Sequence, residues 1–366
     1  MSDTHRRYGA IQTALMQLFG QPTGHTARHV QTLAALICGI VGRMHTHIPR
    51  IANHVPTDQI KEASLVTRCA RWYQRDTITD TTYFLPVIQP LLAALAVGQN
   101  VLELIMDGSA VGHQCVALVV SIVYRGRAIP IAWTVVPGKK GHLPEATHLA
   151  LLERVRERIP ACAERVVFLG DGEFDGTALQ AAVEQAGWTY VCRTAANTLV
   201  HRDGDTVHAS DMPVQPDRPV AWPDVRVTGK QYGPVQVIAY WDTQEQKPIY
   251  LVTNLPDAAR AVRHYLKRAH IETFFSDQKS RGFHLDQSHL ADPARLSRLL
   301  IAACLAYIWI IYLGRVAHQQ GWIPLIHRTT SCDLSLFQLG VRVVQFLMKR
   351  GLPIPVGFVL LDGDVP

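Results

Sequence analysis

The sequence is poor in the features that mark secreted, zinc-binding and membrane-spanning proteins. Its seven cysteines, at 38, 69, 115, 162, 192, 304 and 332, form no C-x-x-C pair. An odd, scattered set of this kind reads as reduced, mostly buried thiols rather than a disulfide framework. The histidines show no H-E-x-x-H spacing, which leaves no pattern for a zinc site. The opening residues, MSDTHRRYGA, lack the apolar run of a signal peptide, so a cytoplasmic location is expected. The uncharged run LLIAACLAYIWIIYLG, bounded by Arg298 and Arg315, falls short of the roughly 18–20 residues of a membrane span and predicts a buried core helix. No internal repeat or low-complexity tract is present.

What is there suits a large globular chain. Of 366 residues 48% are apolar and only 18% charged, enough to bury a sizeable catalytic domain with appendages. The formal charge is +6 and is unevenly spread: residues 1–80 hold nine Lys and Arg against five acids, and six histidines besides. A basic segment joined to a larger body points to an anionic polymer, most often nucleic acid.

Along the chain, residues 1–95 read as helical. A short helix at IPRIANHV, a turn near VPTD and a second helix with Arg68, Arg71 and Arg75 on one stripe predict a helix-turn-helix-like DNA-binding unit. From Val101 the order becomes strand, hairpin through YRGRA, helix, strand, helix, strand, which predicts a mixed α/β sheet with at least one crossover. Residues 197–256 break this rhythm with turn-rich β segments and read as a β insertion within a catalytic domain spanning 96–320. Residues 321–366 are expected to form a C-terminal helical region that could serve dimerisation.

Two apolar strands run into acids: Asp107 in ELIMDGSA and Asp171 in VVFLGDGEF. Each is read as an acid ending its strand, at the rim of a sheet where a ligand can approach. Neighbouring carboxylates repel unless a cation neutralises them, and hard divalent ions such as Mg²⁺ or Mn²⁺ prefer oxygen donors. In DGEFDG, Glu173 and Asp175 compete with Asp171; Asp171 is preferred because it directly ends the strand, and Asp175 suits a cap of the next helix.

The segment YLKRAHIETFFSDQK supplies a third acid. On one continuous helix, Tyr265, Arg268, Glu272 and Lys279 would share a face within about 60°, with Ile271, Phe274 and Phe275 anchoring the adjoining side. The pattern Y-x-x-R-x-x-x-E-x-x-x-x-x-x-K resembles the signature of insertion-sequence DDE transposases of the IS-four type, matched at all four positions. The layout over roughly residues 100–315 is similar as well: a ribonuclease-H-like core with a first Asp on its opening strand, a second after the fourth, and the Glu on a helix beyond a β insertion. One departure is that DGEFDG replaces the Arg-Gly-Phe that often follows the second Asp in such proteins.

That resemblance implies Asp107, Asp171 and Glu272 as catalytic metal ligands for two Mg²⁺ or Mn²⁺ ions. It also implies Tyr265, Arg268 and Lys279 as contacts to the DNA backbone, and two-metal phosphoryl transfer. Water would cut at the element's end, and the released 3′-hydroxyl would then attack target DNA. The expected partners are double-stranded DNA, as terminal inverted repeats and target, and a second copy of the chain in a synaptic homodimer; no membrane is expected. Trp222, Tyr232, Tyr240 and Trp241 in the insertion could stack a flipped base, though core packing is the blander reading, and Lys139 and Lys140 in PGKKGH could touch backbone. The alternatives are a metal-dependent nuclease of the same fold without strand transfer, and a DNA-binding relative whose chemistry has lapsed.

Overall fold

The computed structural model describes residues 2–56, 61–139, 141, 143–327 and 332–360. Its N-terminal part is helical: α1 (Asp3–Leu18), α2 (Gly24–Arg43), α3 (Ile48–Ala52), α4 (Glu62–Gln74), α5 (Asp80–Tyr83) and α6 (Leu85–Gly98). Leu33 to Ile40 of α2 are buried all round, as an apolar helix must be when other elements surround it. Thr57 and Asp58 of the expected turn lie outside the described residues.

Strands follow. They are β1 (Leu102–Val111), β2 (Cys115–Tyr124) and β3 (Arg127–Pro137), then α7 (Glu145–Arg156), β4 (Val166–Gly170), α8 (Thr177–Gln185) and β5 (Thr189–Thr194). The hairpin expected through YRGRA joins β2 to β3. Arg125 and Gly126 both take positive φ, 45° and 73°, the conformation whose twist matches the flanking strands. β1 pairs antiparallel with β2 and parallel with β4, and β4 pairs parallel with β5. Parallel neighbours need a crossover, and α7 and α8 provide it. β1 and β2 are buried almost throughout, which explains their near-continuous apolar sequence.

The β-rich segment contributes β6 (Leu199–Arg202), β7 (Asp205–His208), β8 (Val220–Val227), β9 (Tyr232–Tyr240) and β10 (Ile249–Thr253). It continues the same sheet. β10 pairs antiparallel with β5, giving ten strands in the order β3-β2-β1-β4-β5-β10-β9-β8-β6-β7, so the backbone groups on that edge of β5 find partners.

The last elements are α9 (Ala258–Leu266), α10 (His270–Gln278), α11 (Pro293–Gln319), α12 (Ile323–Ile326) and α13 (Leu336–Lys349). Two expectations are corrected here. The Tyr265–Lys279 segment is not one helix: a 3-10 turn at Lys267–Ala269 divides α9 from α10, and Lys279 lies just past α10. The apolar run belongs to a longer helix than its uncharged stretch implied. α11 has 27 residues, long and apolar enough to cross a membrane, but 89% of its most apolar window is buried inside the protein. It packs against α2, α4, β3 and α13. Gly314 and Gly340 allow α11 and α13 to meet closely, since a Cβ at either would collide with a backbone carbonyl oxygen of the other helix.

The helical N-terminal part is pinned to this assembly. Asp80 pairs at 2.5 Å with both Arg154 of α7 and Arg158 just beyond it, and Asp76 pairs with Arg298 of α11 at 2.5 Å. Burial pushes the Asp80 carboxyl up, but the Arg158 and Arg154 guanidiniums outweigh it and hold the group below its ordinary value. One hydrophobic core runs from α1 through the sheet to α13.

Candidate active site

Asp107 is the sixth of the ten residues of β1, which corrects the expectation that it ends the strand. It reaches an edge nonetheless, because the neighbouring strand stops sooner. The ladder pairs Leu104 with Phe168 and Ile105 with Leu169, and β4 ends at Gly170. Continued by two residues, that register sets Asp107 level with Asp171. Two acids far apart in sequence thus come to the same edge, where β1 runs on past the carboxyl end of β4, the side of a parallel sheet at which ligands approach.

Asp107 is only 7% exposed. Its Oδ1 accepts the N–H of Gly108 at 2.7 Å, and its Oδ2 faces Arg268 Nη1 at 3.4 Å. Asp171 turns the chain after β4, with Oδ1 accepting the N–H of Glu173 at 2.9 Å. The two competing acids are engaged elsewhere. Glu173 accepts the N–H of Leu143 at 2.8 Å and faces His148 Nε2 at 3.5 Å. Asp175 accepts the Thr194 hydroxyl at 2.7 Å; the cap position of α8 falls to Gly176, so Asp175 is not its cap.

The third acid comes from α10, docked through buried Ile271 and Phe274, with Phe275 half-buried beside them. Arg268, one helical turn earlier, bonds Glu272 with Nη2 while its Nη1 faces Asp107. One guanidinium therefore links the acid of the helix to the acid of the strand. Arg268 is 16% exposed and Glu272 59%, so the bridge runs from a buried carboxylate to one at the surface. Tyr265 is buried within electrostatic reach of Arg268, Arg193 and Asp171; burial raises its pKa and keeps the phenol a hydrogen-bond donor. Lys279 Nζ donates to Ser109 Oγ at 2.5 Å, two residues beyond Asp107 on the same face of β1.

The residues that sequence reasoning missed lie at the other end of this cradle. Glu103, also on the Asp107 face, is 6% exposed. It is bonded by His264 Nδ1 at 2.5 Å and by Lys267 Nζ at 2.7 and 2.9 Å. Arg260 Nε can only donate, so the 3.3 Å contact makes His264 Nε2 the acceptor and puts the imidazole proton on Nδ1, toward Glu103. Burial pushes the Glu103 carboxyl up, and these two partners hold it below its ordinary value. A lone acid inside an apolar strand, four residues before Asp107, was the available signal. Arg193 on β5 was the other omission, and nothing in its sequence context marked it.

The donor chemistry suits a hard divalent cation, since the three acids offer only carboxylate oxygens. Among the described residues no three His, Cys, Asp or Glu side chains are gathered closely enough to hold a metal ion; Glu272 is turned onto Arg268 instead.

The basic stripe forms one wall of a second feature. Arg68, Arg71 and Arg75 of α4 and its cap face Arg28, His25 and His29 of α2 across a cleft of ≈ 780 Å³. The insertion's aromatics have local partners: Arg202 lies 4.9 Å over the Trp222 ring, Tyr232 donates to Glu184 at 2.9 Å, and Trp241 donates to the Glu245 carbonyl at 3.0 Å. Tyr240 is half-buried. Lys140 lies outside the described residues.

A mixed sheet with flanking helices and a helical N-terminal part is the ribonuclease-H-like fold. The family model of the transposase DDE domain matches residues 106–309, more than half of the chain, and the chain belongs to that family. It is a DDE transposase, consistent with the IS-four resemblance, and its family implies DNA as substrate and a general use of divalent metal ions. A search for similar proteins of curated function gave no match.

Proposed function

We propose that this transposase binds the terminal inverted repeats of an insertion sequence and catalyses cleavage and strand transfer there with two divalent ions, Mg²⁺ or Mn²⁺. The observation that carries the reading is the β1–β4 register, which continued two residues past the ladder brings Asp171 level with Asp107, with Arg268 linking Glu272 to Asp107. Asp107, Asp171 and Glu272 would hold the ions. When bound, these supply Lewis-acid stabilisation of the charge that builds on the reacting phosphate.

The chain's own groups would do the rest. Arg268 offers a planar fork suited to a phosphate, and Lys279, held beside Ser109, offers a point charge nearby. Tyr265 keeps its proton and can donate to a backbone oxygen. The cleft between α2 and α4 would grip the end at a distance from the chemistry, since four arginines and two histidines line it. Two ends must be joined for transposition, so a homodimer is the working form we propose, acting on DNA in the cytoplasm.

The test is cleavage, with Mg²⁺, of a duplex copied from the DNA flanking the protein's own coding sequence. Asp107→Ala, Asp171→Ala and Glu272→Ala should each reduce cleavage to background while a gel-shift assay shows binding retained. A Glu272→Ala protein that still cuts would refute the site. Joining of the cut 3′ end to a second duplex separates a transposase from a plain nuclease.

A further inference from the structure

Arg268 occupies the position where a cation would neutralise Asp107 and Glu272. Its two terminal nitrogens are divided between them, Nη1 toward Asp107 Oδ2 at 3.4 Å and Nη2 on Glu272 Oε1. The guanidinium is largely buried, at 16% exposure, and it lies between the two carboxylates that share its charge. A dication entering between the two carboxylates would meet a like charge already bonded to both. The 3-10 turn at Lys267–Ala269 sets this arrangement, because it places Arg268 outside both regular helices while the Glu103 bonds to His264 and Lys267 hold the turn on β1.

We propose that Arg268 is a gate coupling the metal to the DNA. In the free protein it occupies the carboxylate pair and weakens divalent-ion binding. When DNA is present, a backbone phosphate takes the guanidinium as its bidentate partner, and Asp107 and Glu272 are released to the ion. Each ligand then removes an obstacle to the other, so each raises the other's affinity by the same factor. The carboxylates are thereby kept from assembling a loaded site until the substrate is in place. This rests on the reading of Asp107 and Glu272 as metal ligands and adds the order in which the site fills.

The experiment measures Mn²⁺ uptake, from loss of the free-ion electron paramagnetic resonance signal, on the full chain without any turnover. Arg268→Gln should bind Mn²⁺ about ten-fold more tightly than the native protein in the absence of DNA. The gain should vanish in Arg268→Gln with Asp107→Asn, which locates it at this site. In the native protein, a duplex copied from the flanking DNA should tighten Mn²⁺ by about ten-fold after subtraction of the duplex's own uptake. That arm needs no variant to fold. The same duplex should change Arg268→Gln little. Equal Mn²⁺ affinity of native and Arg268→Gln proteins without DNA, or an equal effect of duplex on both, overturns the gate. Asp107-dependent uptake with no such coupling defeats the gate and leaves the metal-ligand reading standing. Absence of Asp107-dependent uptake in every sample, with or without duplex, defeats both.

Discussion

Strand β1 carries two buried acids four residues apart on one face, and the helical segment at 258–279 supplies bases to both. Glu103 is tightly held: an imidazole and an ammonium give it three contacts between 2.5 and 2.9 Å. The arginine contact of Asp107 is longer, with Arg268 Nη1 3.4 Å from Oδ2, and the N–H of Gly108 donates to Oδ1. The difference separates a lock from the group proposed to work. A buried carboxylate held at short range by two cationic partners is costly to disturb, whereas a single guanidinium contact at 3.4 Å is easier to exchange. Glu103 fixes where the segment sits on the strand, and Asp107 is the acid that the proposed chemistry would use.

Breaking the lock should have the larger structural effect. Glu103→Ala leaves His264 and Lys267 without their acceptor and is expected to cost about 2–3 kcal/mol. That is less than for a wholly buried pair, because the Lys267 side chain is 44% exposed. Glu103→Gln keeps an acceptor for both donors and should restore most of the stability in chemical denaturation. If Glu103→Ala unfolds at the native denaturant midpoint, the acid is no lock.

A pH series sharpens the same contrast. Glu103 is held below its ordinary 4.5. Its contribution is therefore complete above that value and is lost as the pH falls through the depressed folded value. The stability gap between native protein and Glu103→Gln should accordingly be widest near neutrality and should close as the pH falls below 4.5 through the depressed folded value. Asp80 titrates in the same direction but is common to both proteins and cancels in the difference. A gap that stays constant down to acid would contradict the ion-pair account.

The smallest change expected is at Ser109, which steadies Lys279 at the working end. Ser109→Ala should slow cleavage a few-fold, in line with about 1 kcal/mol for one hydrogen bond, without moving the melting temperature measurably. Loss of stability equal to that of Glu103→Ala would show that both ends of the cradle are structural.

The acids were legible because strand and helix signals are local. Apolar runs ending near Asp107 and Asp171, and the spacing of Tyr265, Arg268, Glu272 and Lys279, are properties of short windows of sequence. The straight helix expected for those four was wrong in form: the 3-10 turn separates Tyr265 from Glu272, yet the turn's own bonds to Glu103 keep Arg268 aimed at Asp107. Local sequence favoured Asp171 over Glu173 and Asp175 because it directly ends its strand; it could not show that Leu143, His148 and Thr194 engage the other two, because these come from other parts of the chain. For α11, composition alone fitted a membrane span once the helix's full length was known, and only its packing against α2, α4, β3 and α13 makes it a core helix.

By itself, then, the sequence determined the class of element at each place and the chemical types available: oxygen donors on strands, a fork and an ammonium on a helical segment, and a basic helix near the start. Tertiary structure decided which of them meet. The β1–β4 register, continued past the end of β4, brings Asp171 level with Asp107, and the docking of α9 and α10 divides Arg268 between two carboxylates. Pairings between distant segments depend on shape and on which strand stops first, and no window of neighbouring residues contains that information.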